Sequence, residues 1–290
     1  MLSPFGATPS FEAISPDGTA IALFALRPAA SHDADAADPD HERRPALLLV
    51  HGATADHTTW RAVGPALALG RSVYALDRRG RGASGDREPY SIEREFRDVA
   101  AAAEEIARRH EGPADVAGHS YGGRCALGAS LHSGAIRRLV VYEGAPAPPG
   151  VSYRPPGLVE AVRAALERGD DEGALTTFLA GIVGMSEAEL AAYRANPVWP
   201  ARVAAASTIL REVEAEASPV ASIDALARVS VPVLLLLGSA SRSPFRLGTD
   251  ALATALTLPE VAVIDGAAHA AHHTHPREFV EIVEAFLDRP

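Results

Sequence analysis

A serine lies in a glycine-rich turn between a short apolar strand and a segment compatible with a helix. The predicted strand is Asp115–Ala117, and the turn reads Gly118-His119-Ser120-Tyr121-Gly122-Gly123. This is the pattern G-x-S-x-G in the strand-turn-helix context that exposes a serine hydroxyl. Glycines two positions before and after Ser120 would allow a turn too crowded for side chains. Because a free hydroxyl is a poor nucleophile, Ser120 would need a base and a group that orients the base.

The elements that would hold this serine alternate between short apolar runs and longer stretches rich in Ala, Glu and Arg. That alternation predicts an α/β fold. Eight strands are predicted, at Phe11–Ile14, Ala20–Leu26, Ala46–Val50, Ser72–Leu76, Asp115–Ala117, Arg138–Tyr142, Val231–Leu237 and Val261–Ile264. The first two flank a Pro-Asp-Gly turn and should form an antiparallel hairpin at one edge. Several of the others are apolar on both faces, which suits parallel strands covered by helices.

Helices are predicted between these strands, at His57–Leu69, Ser91–His110, Tyr121–His132, Arg246–Thr257 and Pro276–Leu287. Two stretches break the alternation. The acidic stretch Ala29–Arg44 is typical of a mobile surface loop. Residues 146–228 lack a convincing strand and hold three or four helical patterns. We therefore expect a helical insertion at 146–228 over a core made of residues 1–145 and 229–290.

The motifs of this chain resemble those of the α/β-hydrolase family, and the resemblance covers nearly the whole chain. The matching segments are His51-Gly52 after the third strand, Asp77–Gly85 after the fourth, Gly118–Gly123 at the serine turn and Gly266–His269 after the last. The order of these four motifs is similar to that in the cap-bearing, esterase-like branch of the family. The resemblance implies an eight-stranded, mostly parallel sheet flanked by helices, with a helical lid inserted after the sixth strand. It also implies a catalytic order of serine, acid and histidine.

By resemblance the base is His269, in the loop after the last strand. His269 and His273 also have the i, i+4 spacing of a zinc pair, but no third ligand is evident, so no metal is expected. His272, His273 and His275 are expected to be solvated loop histidines.

Two carboxylates are candidates for the acid. Many family members carry Asp after the seventh strand, where this chain has Ser241, and a serine cannot stabilise an imidazolium as a carboxylate can. Glu143, at the end of the sixth strand, is the position that some relatives use, and it lies in the required order. It could instead be a strand-end carboxylate bound by backbone amides. Asp265 is a weaker candidate because it shares the short loop of His269.

Acyl transfer also needs N–H groups that stabilise the oxyanion. The resemblance assigns this role to the backbone of Ala53 and of Tyr121. In the insertion, the larger apolar side chains Phe178, Met185 and Trp199 are predicted to line a pocket above Ser120. The insertion shows no cluster of basic residues. The expected substrate is therefore a small or medium-sized, uncharged, largely apolar carboxylic ester or lactone.

Composition and charge exclude several other classes of protein. The 290 residues are 47% hydrophobic, and the net charge of −10 disfavours nucleic acid as a partner. Cys125 is the one cysteine, which excludes an intrachain disulfide and fits a reducing compartment. No signal-peptide pattern and no apolar run near ~20 residues is visible. We therefore expect a cytoplasmic protein without a membrane span.

The segment Gly80–Gly85 formally matches G-x-G-x-x-G, but Pro89 soon follows it instead of a helix start. A dinucleotide is therefore not expected, nor is any other cofactor. The arginines of this loop are expected to pair with Asp77 and Asp86 or to be solvated.

The sequence thus predicts a cofactor-free serine hydrolase that forms an acyl-enzyme on Ser120, with His269 and Glu143 completing a triad. Its expected partner is a small-molecule substrate, and the sequence leaves the oligomeric state open. Four alternatives keep the same site: an acyltransferase, a C–C hydrolase, a cofactor-free peroxidase, and a ligand-binding homologue without catalysis.

Overall fold

The computed structural model describes residue 6, residues 8–26 and residues 44–289. Apart from Arg44, the acidic stretch predicted as a mobile loop lies outside these described residues. The strands are β1 Phe11–Ile14, β2 Ala20–Ala25, β3 Leu47–Val50, β4 Val73–Leu76, β5 Ala114–His119, β6 Ile136–Tyr142, β7 Val233–Gly238 and β8 Pro259–Ile264. They form one sheet in the order β1-β2-β4-β3-β5-β6-β7-β8.

Only the first edge of this sheet is antiparallel. β1 and β2 form the predicted hairpin, and β2 also runs antiparallel to β4. All the remaining pairs, from β4 to β8, are parallel. The prediction of an eight-stranded, mostly parallel sheet is therefore confirmed. The carboxyl ends of parallel strands meet at one edge, where ligands bind in open α/β sheets.

Helices connect these strands. They are α1 Gly64–Leu67, α2 Ile92–His110, α3 Tyr121–Ser130, α4 Leu158–Glu167, α5 Asp171–Phe178, α6 Glu187–Arg194, α7 Trp199–Ala204, α8 Ile209–Ala215, α9 Ile223–Leu226, α10 Ser243–Ala255, α11 Ala271–Thr274 and α12 Pro276–Leu287. Ser91 caps α2, where its hydroxyl accepts a hydrogen bond from the backbone N–H of Arg94. No helix among the described residues is both long and apolar enough to cross a membrane.

The single helix predicted over 57–69 is wrong. A 3₁₀ turn at His57–Ala62 is followed by the four-residue helix α1. Asp56 caps the turn by accepting from the N–H of Thr58 at 2.9 Å. Pro65 explains the break, because it has no N–H to donate to the preceding turn and its ring clashes with a continuous helix.

The alternating side chains of the central strands bury both faces of the sheet. On β3, Leu48 and Val50 pack with residues of α2 and α3, whereas Leu47 and Leu49 pack with Trp60 and α12. Successive strand residues point to opposite faces, so one short strand contributes to two cores. The result is a three-layer arrangement that holds the strand ends rigidly.

Helices α4 to α9 lie between β6 and β7, in a part of the chain that is fully described. A five-residue π-helical turn, Leu179–Val183, extends α5. Helices α4 to α8 share an apolar cluster of their own, which includes Leu175, Trp199, Ile209 and Val213. The packing therefore forms a unit with its own small core.

A buried ion network joins this unit to the rest of the protein. Arg78, which follows β4, donates to Glu95 of α2 and, at 2.6 Å, to Glu212 of α8. Arg81 also donates to Glu212, whose side chain is 1% exposed. Two arginines thus meet two carboxylates away from water, which offsets the cost of burying each charge.

The predicted pairing of the loop arginines with Asp77 and Asp86 is wrong. Asp77 instead accepts hydrogen bonds from the backbone N–H groups of His57 and Ala83. Asp86 pairs with Arg211 of α8. The sequence suggested acidic partners close to these arginines in the chain. The loop instead turns the arginines inward, where carboxylates of helices remote in sequence compensate their charge.

Replacing Glu212 by Ala should lower the free energy of unfolding by about 3 kcal/mol or more, because it leaves buried guanidinium charge uncompensated. Glu214→Ala on the same helix removes an exposed pair with Arg163 and should cost about 1 kcal/mol or less. Urea unfolding followed by circular dichroism measures both. Equal unfolding midpoints for the two variants would contradict the network's role.

Candidate active site

Ser120 occupies a strained backbone position between β5 and α3. Its φ of 53° and ψ of −125° lie in a region that residues other than glycine rarely adopt. The backbone N–H of Ser120 donates to the carbonyl oxygen of Tyr142 on the neighbouring strand β6 at 2.8 Å. The turn is thereby fixed to the sheet, and the side chain lies at the carboxyl end of β5.

The crowding predicted around this turn is present. A Cβ atom on Gly118 would lie 2.5 Å from the carbonyl oxygen of Gly122. A Cβ atom on Gly122 would lie 2.3 Å from the carbonyl oxygen of His51. Both distances are far below a normal contact, so these two positions tolerate no side chain without backbone movement.

His269 and Glu143 come together from loops that are remote in sequence. His269 Nδ1 donates to Glu143 Oε2 at 2.6 Å, and the two residues are 7% and 3% exposed. The other oxygen, Oε1, accepts from the backbone N–H of Gly238 at 2.9 Å and from the hydroxyl of Ser241. Because Nδ1 faces the carboxylate, Nε2 is the nitrogen left to accept a proton.

This arrangement also places the two other candidates for the acid. Ser241, at the place where the resemblance implies Asp, binds the Glu143 carboxylate instead of the imidazole. Asp265 accepts from the hydroxyl of Ser239 at 3.0 Å on an exposed part of the surface. Of the two carboxylates considered from the sequence, Glu143 is the one in contact with His269.

Two residues that the sequence analysis missed hold the loop of His269 in place. The Tyr142 hydroxyl donates to the carbonyl of Ala268 and accepts from the N–H of Ala271. His119 Nε2 donates to the carbonyl oxygen of His269 at 2.7 Å. Burial and the neighbouring His269 hold the pKa of His119 well below its usual value, so it acts as a neutral donor. Nothing in the sequence distinguished either residue from core packing.

Ser120 and His269 line the same cavity, which has a volume of about 460 Å³. In the part of the chain that is described, no hydrogen bond engages the Ser120 hydroxyl. The hydroxyl is therefore available to a ligand in the cavity. The volume falls within the range of small-molecule sites.

Both residues predicted to stabilise the oxyanion line a space that Ser120 also lines. Ala53, Tyr121 and Ser120 line a small recess of about 30 Å³. Within the described ranges, neither the Ala53 nor the Tyr121 N–H donates to a protein acceptor. The Tyr121 N–H is the first of α3, where the helix dipole favours negative charge.

The insertion contributes most of the apolar wall of the larger cavity. Phe178 and Met185 line it as predicted, and Tyr193 also does. Trp199 does not, and that prediction is wrong. It starts α7 and packs against Tyr193, with ring centroids 5.5 Å apart, among the other helices of the insertion. Its large ring fills the insertion's own core.

Two further features of the cavity were not expected from the sequence. Arg202 of α7 and Arg61 of the 3₁₀ turn both line it, although the sequence showed no basic cluster in the insertion. The two arginines are remote in sequence, so only the fold brings them together. His272, expected in solvent, is 2% exposed and packs against Trp60. Among the described residues, no group of three His, Cys, Asp or Glu side chains is placed to hold a metal ion.

Comparison with known proteins places this chain in one family. A family model described as "Alpha/beta hydrolase family" matches residues 47–282, and the chain belongs to that family. The solved structure of an α/β hydrolase from Sphaerobacter thermophilus is similar, with 28% identity and a TM-score of 0.75. The match covers 95% of this chain and 99% of that one.

Other matches include proteins with named activities. An esterase from Rhodococcus sp. ECU1013 shares the fold, with 20% identity and a TM-score of 0.70, over 98% of each chain. A probable alcohol acetyltransferase from Saccharomyces cerevisiae is 32% identical over 138 residues, which is 45% of this chain. The match spans 38% of the length of that curated relative.

Gly122→Ala should lower the free energy of unfolding by about 1–3 kcal/mol, because the new methyl group collides with backbone that cannot yield. Gly134→Ala is the matched control, since a Cβ atom at Gly134 would meet nothing within 4 Å. Chemical denaturation of both variants measures the difference. If Gly122→Ala proved as stable as Gly134→Ala, the crowding argument would be wrong.

Proposed function

We propose that the protein is a serine hydrolase that cleaves carboxylic esters, including lactones, through an acyl-enzyme. Ser120 is the nucleophile, His269 the base, and Glu143 the carboxylate that orients the base. The observation that carries this proposal is the 2.6 Å contact between His269 Nδ1 and Glu143 Oε2 beside a serine on a strained turn. A buried carboxylate keeps the imidazole in the tautomer that accepts a proton at Nε2.

In the acylation step, Ser120 Oγ attacks the ester carbonyl carbon while His269 Nε2 takes its proton. Glu143 stabilises the imidazolium. The N–H groups of Ala53 and Tyr121 stabilise the oxyanion, and each such donor is worth roughly 3–4 kcal/mol. When the tetrahedral intermediate collapses, the C–O bond to the leaving group breaks and His269 gives its proton to the departing alcohol.

Deacylation repeats these steps with water. His269 takes a proton from the water as its oxygen attacks the acyl carbon, and the proton then returns to Ser120 Oγ. Proton transfer requires Ser120 Oγ and His269 Nε2 to come within hydrogen-bond reach. Such contacts often tighten only when substrate is bound.

Residues 146–228 would act as a lid over a core made of residues 1–145 and 229–290. Phe178 and Met185 reach the cavity from the insertion, where they would exclude water from the reacting atoms. Glu212, through its buried bonds to Arg78 and Arg81, would fix this lid to the core.

A serine at position 241, where many relatives have Asp, would favour a non-catalytic homologue if no other acid reached His269. Glu143 contacts His269, and Ser241 donates to the second oxygen of Glu143. A site that only bound a ligand would have no need of an oriented base next to an accessible serine hydroxyl.

A second candidate function is acyl transfer to an alcohol, favoured by the partial match to a probable alcohol acetyltransferase. The acyl-enzyme would be the same, and an alcohol would replace water in its second step. Product analysis in the presence of added ethanol separates the two functions. Hydrolysis as the dominant route at low alcohol concentration supports the first, and preferential formation of the ethyl ester supports the second.

Ser120→Ala should abolish labelling by a fluorophosphonate probe and lower kcat/KM for ester hydrolysis by at least about a thousandfold. Ser130→Ala is the matched control, because the Ser130 hydroxyl donates to the carbonyl of Leu127 within α3. It should be labelled like the wild type. Labelling of the folded Ser120→Ala variant at the wild-type rate would rule out Ser120 as the nucleophile.

Glu143→Gln should lower kcat by about 10²–10⁴, since an amide cannot stabilise the imidazolium and favours the wrong tautomer. Asp265→Asn, which tests the alternative acid, should keep kcat within about twofold. Initial rates on one ester, with folding checked by circular dichroism, compare the two. If the larger loss followed Asp265→Asn, the assignment of the acid would have to be reversed.

A further inference from the structure

Two arginines in the cavity of Ser120 have no acidic partner. Arg61 and Arg202 both line this cavity, and no Asp or Glu residue lines it in the described part of the chain. Within the same described residues, neither guanidinium forms an ion pair. By contrast, the buried guanidinium of Arg78 contacts two carboxylates. Charges held in a cavity without compensation are suited to a ligand of opposite charge.

Their present hydrogen bonds leave most of their donors unused. Arg202 donates to the carbonyl of Ala53 and to the hydroxyls of Thr54 and Thr59, each at 3.3 Å. Arg61 donates to the carbonyl of Thr58, also at 3.3 Å. All four acceptors are neutral and all four bonds are long. A carboxylate would form shorter, charge-assisted bonds with the same groups.

Three of the four histidines that line the cavity do not add to this positive charge. Burial holds the pKa values of His119 and His272 well below the usual value. Burial, together with the charges of Arg61 and Arg202, lowers the pKa of His273 to about 4. These three rings are therefore neutral at pH 7.

The space around Ser120 is unequal on its two sides. The recess beside Ala53 and Tyr121 has a volume of about 30 Å³, whereas the cavity that contains the arginines has about 460 Å³. The recess is the smaller of the two spaces that Ser120 lines. The smaller half of an ester would therefore face the recess, and the larger half would face the arginines.

We propose that the substrate is a small ester whose larger half carries a free carboxylate, bound by Arg202 and Arg61. This inference rests on the proposed ester hydrolysis and names its substrate class. The planar guanidinium matches a carboxylate in a bidentate geometry, so binding would fix the distance between the charge and the scissile bond. The sequence-based expectation of an uncharged substrate is replaced by this one.

The test uses two ester pairs, because the carboxylate can belong to the acyl half or to the alcohol half. The first pair is monomethyl glutarate and the ester in which an isopropyl group replaces its carboxylate. The second pair is the acetate ester of γ-hydroxybutyrate and its isopropyl counterpart. Proton release gives kcat/KM for each ester. The wild type should prefer the charged member of at least one pair by about 10- to 100-fold.

Arg202→Gln and Arg61→Gln should each lower that preference by about tenfold, and the double variant should abolish it. Arg277→Gln, an exposed arginine of α12, controls for the change in net charge and should keep the wild-type preference. If Arg202 merely supported the loop of Ala53, its substitution would slow both members of a pair equally. An unchanged ratio in the double variant would therefore overturn the inference.

Binding to Ser120→Ala separates this inference from the proposed hydrolysis. Calorimetry should detect the charged member of at least one pair in Ser120→Ala, and the signal should disappear when Arg202→Gln and Arg61→Gln are added. That result without turnover in the wild type would support the anion site and contradict ester hydrolysis. Turnover of both pairs without charge preference would contradict the anion site and leave ester hydrolysis standing.

Discussion

The contact between the Glu143 carboxylate and the His269 imidazole is the interaction on which the proposed chemistry depends. It joins the end of β6 to the loop after β8, and it is buried from solvent. Neither group would take up this geometry alone. Gly238, Ser241, Tyr142 and His119 supply hydrogen bonds that fix the carboxylate on one side and the histidine loop on the other.

In the described part of the chain, the two arginines of the cavity lack the acidic partners that buried arginines of the core have. Arg78 and Arg79 are buried against carboxylates of the helices that pack on them. Arg61 and Arg202 have only neutral acceptors, although the chain as a whole carries a net charge of −10. The field of two fixed guanidinium groups inside a partly closed cavity acts more strongly than the same charges in water.

The sequence predicted the architecture well because the signals were local and repeated. Apolar runs placed all eight strands, and the glycine spacing placed the turn of Ser120. The failures concern effects that only the folded chain creates. Pro65 ended a helix that the wider pattern favoured, and Trp199 turned into the core of the insertion. Arg61 and Arg202 line the same cavity, and Ser241 contacts Glu143. In both cases the residues are too far apart in the sequence for their spacing to predict the contact.

The proton between His269 Nδ1 and Glu143 tests the central claim most directly. Proton NMR of the wild-type protein at low temperature should show a resonance far downfield of the amide region, as expected for a short, charge-assisted hydrogen bond. The resonance should vanish in Glu143→Gln and persist in Asp265→Asn. A resonance that survived Glu143→Gln, or that was lost in Asp265→Asn, would contradict the assignment of Glu143 as the group that orients the base.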